Sequence, residues 1–166
     1  MTPPRIGFMQ GRLVAPVGGK IQAFPWEDWR QELTLAEAAG FGLMEWTLDH
    51  GRLDENPFMT PAGQAEIRAL SKRHRLRIET LTGDCFMQAP FWKAEGGARA
   101  ERLRAGRRVL EAAAALEVAL VVVPLVDGGS LASAEEESAL RSGLAELEPA
   151  LAAGQIAIAF ESDFPP

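Results

Sequence analysis

Short apolar runs rich in β-branched residues alternate along the chain with longer amphipathic stretches, the pattern of strands and helices taken in turn. The first run, Arg5 to Gln10, is stopped by Gly11 and a loop that extends to Pro25. A helix is expected over Trp26–Ala39, with Glu27 and Asp28 in its first turn, an apolar stripe of Trp26, Trp29, Leu33 and Ala36, and Gly40 as its stop. A second strand covers Gly42–Leu48. The next helix opens on Thr60 as N-cap with Pro61 behind it, sets Ile67, Leu70 and His74 on one face, and ends in the basic turn Lys72 to Arg75. Strand three is Arg77–Leu81, followed by an aromatic loop, FMQAPFW, from Phe86 to Trp92. A third helix, roughly Gly97–Leu116, points Leu103, Leu110 and Leu116 inward. Ala119–Val126 is so continuously apolar that both faces of that strand should be covered. The fourth helix starts with a capping box, Ser133 and Glu136, carries Leu140, Leu144, Leu147 and Leu151, and closes at Gly154. Gln155–Asp163 is then expected to be a buried parallel strand, with Ile156, Ile158 and Phe160 leading to a carboxylate at its tip, Glu161.

Strand starts fall near residues 5, 42, 77, 119 and 155, a nearly constant strand-helix repeat that either an open parallel sheet or a (β/α) barrel produces. No G-x-G-x-x-G follows the first strand, and Gly18-Gly19-Lys20 lacks the earlier glycine and the Ser/Thr of a phosphate-binding loop. Every strand does run out into a polar residue, namely Gln10, Glu45, Asp84, Asp127 and Glu161. A ring of such residues at one end favours the barrel. The expected fold is therefore an α/β, TIM-barrel type, single domain. It holds about five parallel strands and four helices of an eight-fold barrel that would need roughly 300 residues in all. A flavodoxin-like open sheet is the structural alternative, and strand order separates the two.

Composition narrows the function classes. A net charge of −6 and a pI near 5.0 leave no basic stripe for nucleic acid. No stretch is long and apolar enough for a membrane span, and no secretory leader is visible, so a cytoplasmic protein is expected. Cys85 is the single cysteine, which rules out an internal disulfide, and with no base nearby in sequence it is expected to be a buried, inert thiol.

The segments IGFMQGRL (Ile6–Leu13), KIQAFPWEDW (Lys20–Trp29), GFGLMEWTLD (Gly40–Asp49), GDCFM (Gly83–Met87), VVPLVDGGSL (Val122–Leu131) and IAFESD (Ile158–Asp163) together resemble the xylose-isomerase-like TIM barrels, the sugar phosphate isomerases/epimerases. The resemblance runs through the whole chain in order. It implies the N-terminal five strands of such a barrel and a reaction that moves a proton through an enediolate. It also implies a small sugar or sugar-phosphate substrate and a divalent metal, Mn or Mg, in the complete barrel. Glu161 matches the strand-five glutamate, as metal ligand and catalytic carboxylate; the partners expected from later strands lie beyond this sequence, so the chain by itself binds a metal weakly or not at all. Two histidines and a negative charge set the endonuclease branch aside.

The remaining candidates follow from position and chemistry. Gln10 and Arg12 sit where an anionic group would dock, the guanidinium fork being suited to phosphate or carboxylate. Glu45 and Asp84 could bind sugar hydroxyls, and Trp46 and Phe86, with Phe91 and Trp92, could wall a sugar pocket. For each the alternative is structural: an ion-paired or solvated carboxylate, or ordinary packing. Asp127 before Gly128-Gly129 suits a turn, His50 is the better-placed histidine for a site, and His74 suits a structural role. A second function class is a non-catalytic partial barrel that covers its open sheet edges by self-association or by pairing with a missing half.

Overall fold

The computed structural model describes residues 6–20 and 23–163. Arg5, expected to open the first strand, lies outside them. The elements are β1 (Gly7–Met9), α1 (Trp29–Ala38), β2 (Leu43–Thr47), α2 (Pro61–His74), β3 (Arg77–Thr82), α3 (Asp84–Gln88), α4 (Gly96–Ala115), β4 (Leu120–Leu125), α5 (Ala134–Gly154) and β5 (Ala157–Ser162), with short 3-10 turns in the loops. All pairings are parallel and the sheet order is β1-β2-β3-β4-β5. A sequential parallel arc is a segment of a (β/α) barrel, and it excludes the flavodoxin-like alternative, whose strand order crosses over. No helix among the described residues is long and apolar enough to cross a membrane.

The helix signals act locally as their chemistry requires. Thr60 Oγ1 accepts from Gly63 N at 3.1 Å, and Pro61 occupies the first helical position of α2. Ser133 Oγ accepts from Glu136 N at 3.3 Å, but the Glu136 carboxylate turns back to Ala132 N at 2.7 Å, one residue earlier than a capping box places it. α1 begins at Trp29 rather than Trp26. Trp26 instead stands edge-on to Phe24, 4.9 Å away, beneath the Arg52 guanidinium at 3.9 Å, and these contacts keep it in the preceding turn. The aromatic stretch expected as loop contains α3, too short to show a helical period. It is anchored where Cys85 N donates to Leu48 O at 2.8 Å.

The core lies between the sheet and the helices. Trp46 is fully buried, with Trp29 at 5.7 Å and Phe58 at 5.8 Å between ring centroids. Phe91 lies so close to α5 that a Cβ at Gly143 would stand 2.2 Å from its ring, so only glycine fits there. His74 is buried with Nδ1 2.7 Å from the Glu37 carboxylate, joining the end of α2 to α1. β5 departs from expectation. It is the edge of the described sheet and Phe160 is 46% exposed, because no further strand or helix among the described residues covers it.

Candidate functional site

Side-chain alternation sorts the sheet into two faces. Met44 and Trp46 on β2, and Val121 and Val123 on β4, are buried toward the helices, so Leu43, Glu45, Val122 and Pro124 face the other, concave side. Glu161 pairs in register with Pro124, which puts its carboxylate on the concave face near the C-terminal end of β5, exposed to solvent. Glu45 lies on the same face three strands away. Its Oε1 accepts from Thr82 Oγ1 at 2.5 Å, a cross-strand bond that orients the carboxylate. A depression of about 280 Å³ borders it, lined by Met9, Leu43 and Thr80 among others.

Gln10 continues the sheet beyond β1. Its backbone N donates to Glu45 O at 2.9 Å, and its side-chain Oε1 then accepts from Thr47 N at 3.1 Å where the main chain has already turned away. Gln10 is fully buried, and its Nε2 and the neighbouring Thr47 Oγ1 lack a hydrogen-bond partner among the described residues. Arg12 projects into solvent from the next loop, its guanidinium 3.8 Å from Met9 Sδ and without a carboxylate partner among the described residues.

Two carboxylates that the sequence did not single out shape this end of the sheet. Glu32 of α1 is fully buried and accepts from Gly11 N at 2.7 and 2.9 Å and from Leu13 N at 3.0 Å. Burial pushes its carboxyl above the usual range, outweighing the opposing pull of those N–H groups. Gly11 has φ +87°, and a Cβ there would stand 2.8 Å from Ala23 O, so the loop doubles back tightly. Asp49, after β2, accepts from Phe24 N at 2.9 Å and from Gln88 Nε2 at 2.8 Å, while Gln88 Oε1 accepts from His50 N at 2.7 Å. The loops after β1, β2 and β3 are thereby tied together. Only the unexpected charge within the inward stripe of α1 hinted at Glu32; nothing local marks Asp49.

The structure removes two aromatics from the concave face. Trp46 points into the helix layer, fully buried, with Nε1 3.3 Å from Asn56 Oδ1. Phe86 is buried against Gly106 of α4. Both were expected as walls of a sugar pocket, and each serves instead as core, because strand alternation and the onset of α3 turn them away. Phe91 and Trp92 are buried as well, Trp92 Nε1 donating to Gly129 O at 3.1 Å. Asp84 is buried in the first turn of α3. Beside it the Cys85 thiol is pushed up to about 12, chiefly by burial and then by the Asp84 charge, and so stays protonated and inert. Exposed His50 borders a separate groove of about 580 Å³ on the helix side, between α3, α4 and Leu53. Asp127 makes the turn its sequence suggested, with φ +47°.

Glu161 offers one hard oxygen ligand. Among the described residues no three His, Cys, Asp or Glu side chains come together as a metal-holding group, and Glu45 already accepts from Thr82. These residues alone therefore do not build a divalent-cation site.

No protein-family model matches the sequence, and no curated protein matches it. Solved structures do. D-psicose 3-epimerase with D-tagatose from Clostridium cellulolyticum H10 superposes with a TM-score of 0.68 at 13% identity, over 92% of this chain and 50% of that one. The chain has the fold of part of a parallel (β/α) barrel. The 3-keto-D-glucoside 4-epimerase from E. coli gives 0.62 at 19% identity, over 94% of this chain and 55% of its own. A xylose isomerase domain protein from Planctomyces limnophilus gives 0.62 at 13%, over 95% and 52%. The chain thus spans about half the length of these structures, and its strands supply part of such a barrel. In barrels the C-terminal ends of the strands carry the site. That is the end where Gln10, Arg12, Asp84 and Glu161 lie.

Proposed function

We propose that this chain contributes to a sugar isomerase or epimerase, acting on a sugar or sugar phosphate by proton transfer next to a carbonyl. The observation that carries this reading is Glu161, an exposed carboxylate on the concave face near the C-terminal end of β5, in a fold whose solved neighbours include two sugar epimerases. A carboxylate so placed can take a proton from the carbon beside a carbonyl; the electron pair moves into the carbonyl oxygen and an enediolate results. Return of a proton to the opposite face gives the epimer, and return to the neighbouring carbon gives the isomer. Gln10, Arg12, Glu45 and Asp84 are the proposed substrate-side groups, and Glu45 is held for that role by Thr82.

A divalent Mn or Mg ion belongs to this reading, with Glu161 as one ligand and the others from outside the described residues; a bound ion would supply Lewis acidity at the sugar oxygens. The setting is cytoplasmic, where a single buried thiol is stable. Incorporation of solvent deuterium into a panel of ketohexoses and their phosphates, followed by proton NMR with the intact protein, tests the reading. Glu161→Ala should lower exchange by about 100-fold or more. Full exchange by that variant would overturn it.

A second reading is favoured by the sheet edges. β1 and β5 each pair with one described strand, and Ile6 and Phe160 are 65% and 46% exposed. Such a sheet is a surface for a second copy or for further (β/α) units. A folded monomer at micromolar concentration by light scattering would count against self-association.

A further inference from the structure

The inward stripe of α1 runs Trp29, Leu33 and Ala36, all buried, and Glu32 stands among them at 0% exposure. A buried carboxylate is costly unless its lone pairs are satisfied. Among the described residues no cation satisfies them. Among the described residues the Glu32 oxygens accept from main-chain N–H groups of one short segment, Gly11 on one side of Arg12 and Leu13 on the other. The segment cannot easily find another path, since Gly11 sits at φ +87° with Ala23 O behind it. Arg12 is therefore pinned through its backbone on both sides while its side chain projects outward.

Among the described residues six other arginines are paired with carboxylates, and three more, Arg68, Arg102 and Arg107, donate to main-chain carbonyl oxygens. Arg30, Arg52, Arg77, Arg99, Arg108 and Arg141 each lie within 2.9 Å of a carboxylate oxygen. Arg12 has Met9 Sδ at 3.8 Å and no carboxylate among the described residues. A guanidinium with unused donors, carried on a clamped loop beside the end of β1, has the geometry of a preorganised anion reader rather than of a surface ion pair.

We propose that Glu32 is a positioning residue: its buried carboxylate fixes the Gly11–Leu13 segment and so presents Arg12 to an anionic group, a phosphate or carboxylate, on the ligand of the candidate site. This rests on the substrate-side role given to Arg12 above and adds to it the residue that positions Arg12 for an anionic group.

The test uses the full chain with inorganic sulfate as probe, its charge being constant across the working pH. Sulfate titrations followed by ¹H–¹⁵N NMR should show saturable shifts around Arg12 in the wild type, their loss in Arg12→Ala, and affinity about tenfold weaker in Glu32→Gln although Arg12 is intact. Glucose, a neutral control, should not distinguish wild type from Glu32→Gln. In the wild type the Gly11 and Leu13 amide signals should also shift together as pH is lowered, a measurement that needs no variant and so stands even if Glu32→Gln fails to fold. A folded Glu32→Gln with wild-type sulfate affinity would overturn the proposal, as would amides of Gly11 and Leu13 that do not titrate together, or a wild type that does not bind sulfate. None of these outcomes touches deuterium exchange dependent on Glu161, so the two readings fail separately.

Discussion

Glu32, Glu45 and Asp49 are carboxylates of one small region with three different fates. Glu32 is closed off and bound by backbone, Glu45 is oriented by Thr82, and Asp49 ties two loops. Because burial raises the Glu32 carboxyl above its ordinary 4.5, the fold favours the protonated form. Its contribution to stability is then fully present below the ordinary carboxylate range and fades as pH rises through the raised value. Urea denaturation from pH 4 to pH 8 should show that slope in the wild type and not in Glu32→Gln. Trp46 sits where truncation leaves a cavity, and Trp46→Ala should cost about 3–5 kcal/mol in the same assay. With its thiol at about 12, Cys85 should resist iodoacetamide at pH 8 in the native chain and react readily once unfolded in urea.

At the scale of elements, helix ends are where backbone chemistry is most exposed to test. Arg75 after α2 and Gln155 after α5 hold φ of +54° and +53°, the left-handed region in which side chains are strained. Arg75→Gly and Gln155→Gly should each stabilise the fold by about 0.5–1 kcal/mol, read from the shift of the urea midpoint. Thr60→Ala removes the cap of α2 and should cost about 1 kcal/mol. These ends were legible because a cap and its partner are three residues apart, as Thr60 and Gly63 are. α3 was not legible: its five residues are fixed by Leu48 O and by packing against β4 rather than by any period of their own.

For the whole molecule, the arc of strands is curved so that one face meets helices and the other meets a concavity. Phe160 at the open edge of β5 is the apolar group most directly placed to join a neighbouring strand or copy. If the second copy covers that edge, Phe160→Lys should shift light scattering toward monomer; an unchanged mass would place the association elsewhere.

The regular spacing of strands and helices, the sequential barrel-type sheet, the caps and the carboxylate near the end of β5 were all legible in the order of residues, because each depends on neighbours a few positions away or on a repeat. Which side chains reach the concave face was decided by tertiary structure. Trp46 follows Glu45 and Phe86 comes just after Gly83-Asp84, places a pocket wall could take, yet the pleat of β2 and the start of α3 turn them into the core. Glu32 lies 21 residues from Gly11 and 19 from Leu13, and only the return of α1 against the sheet brings its carboxylate to them. Periodicity reports which way a side chain points along its own element; which distant backbone it meets depends on how the elements pack.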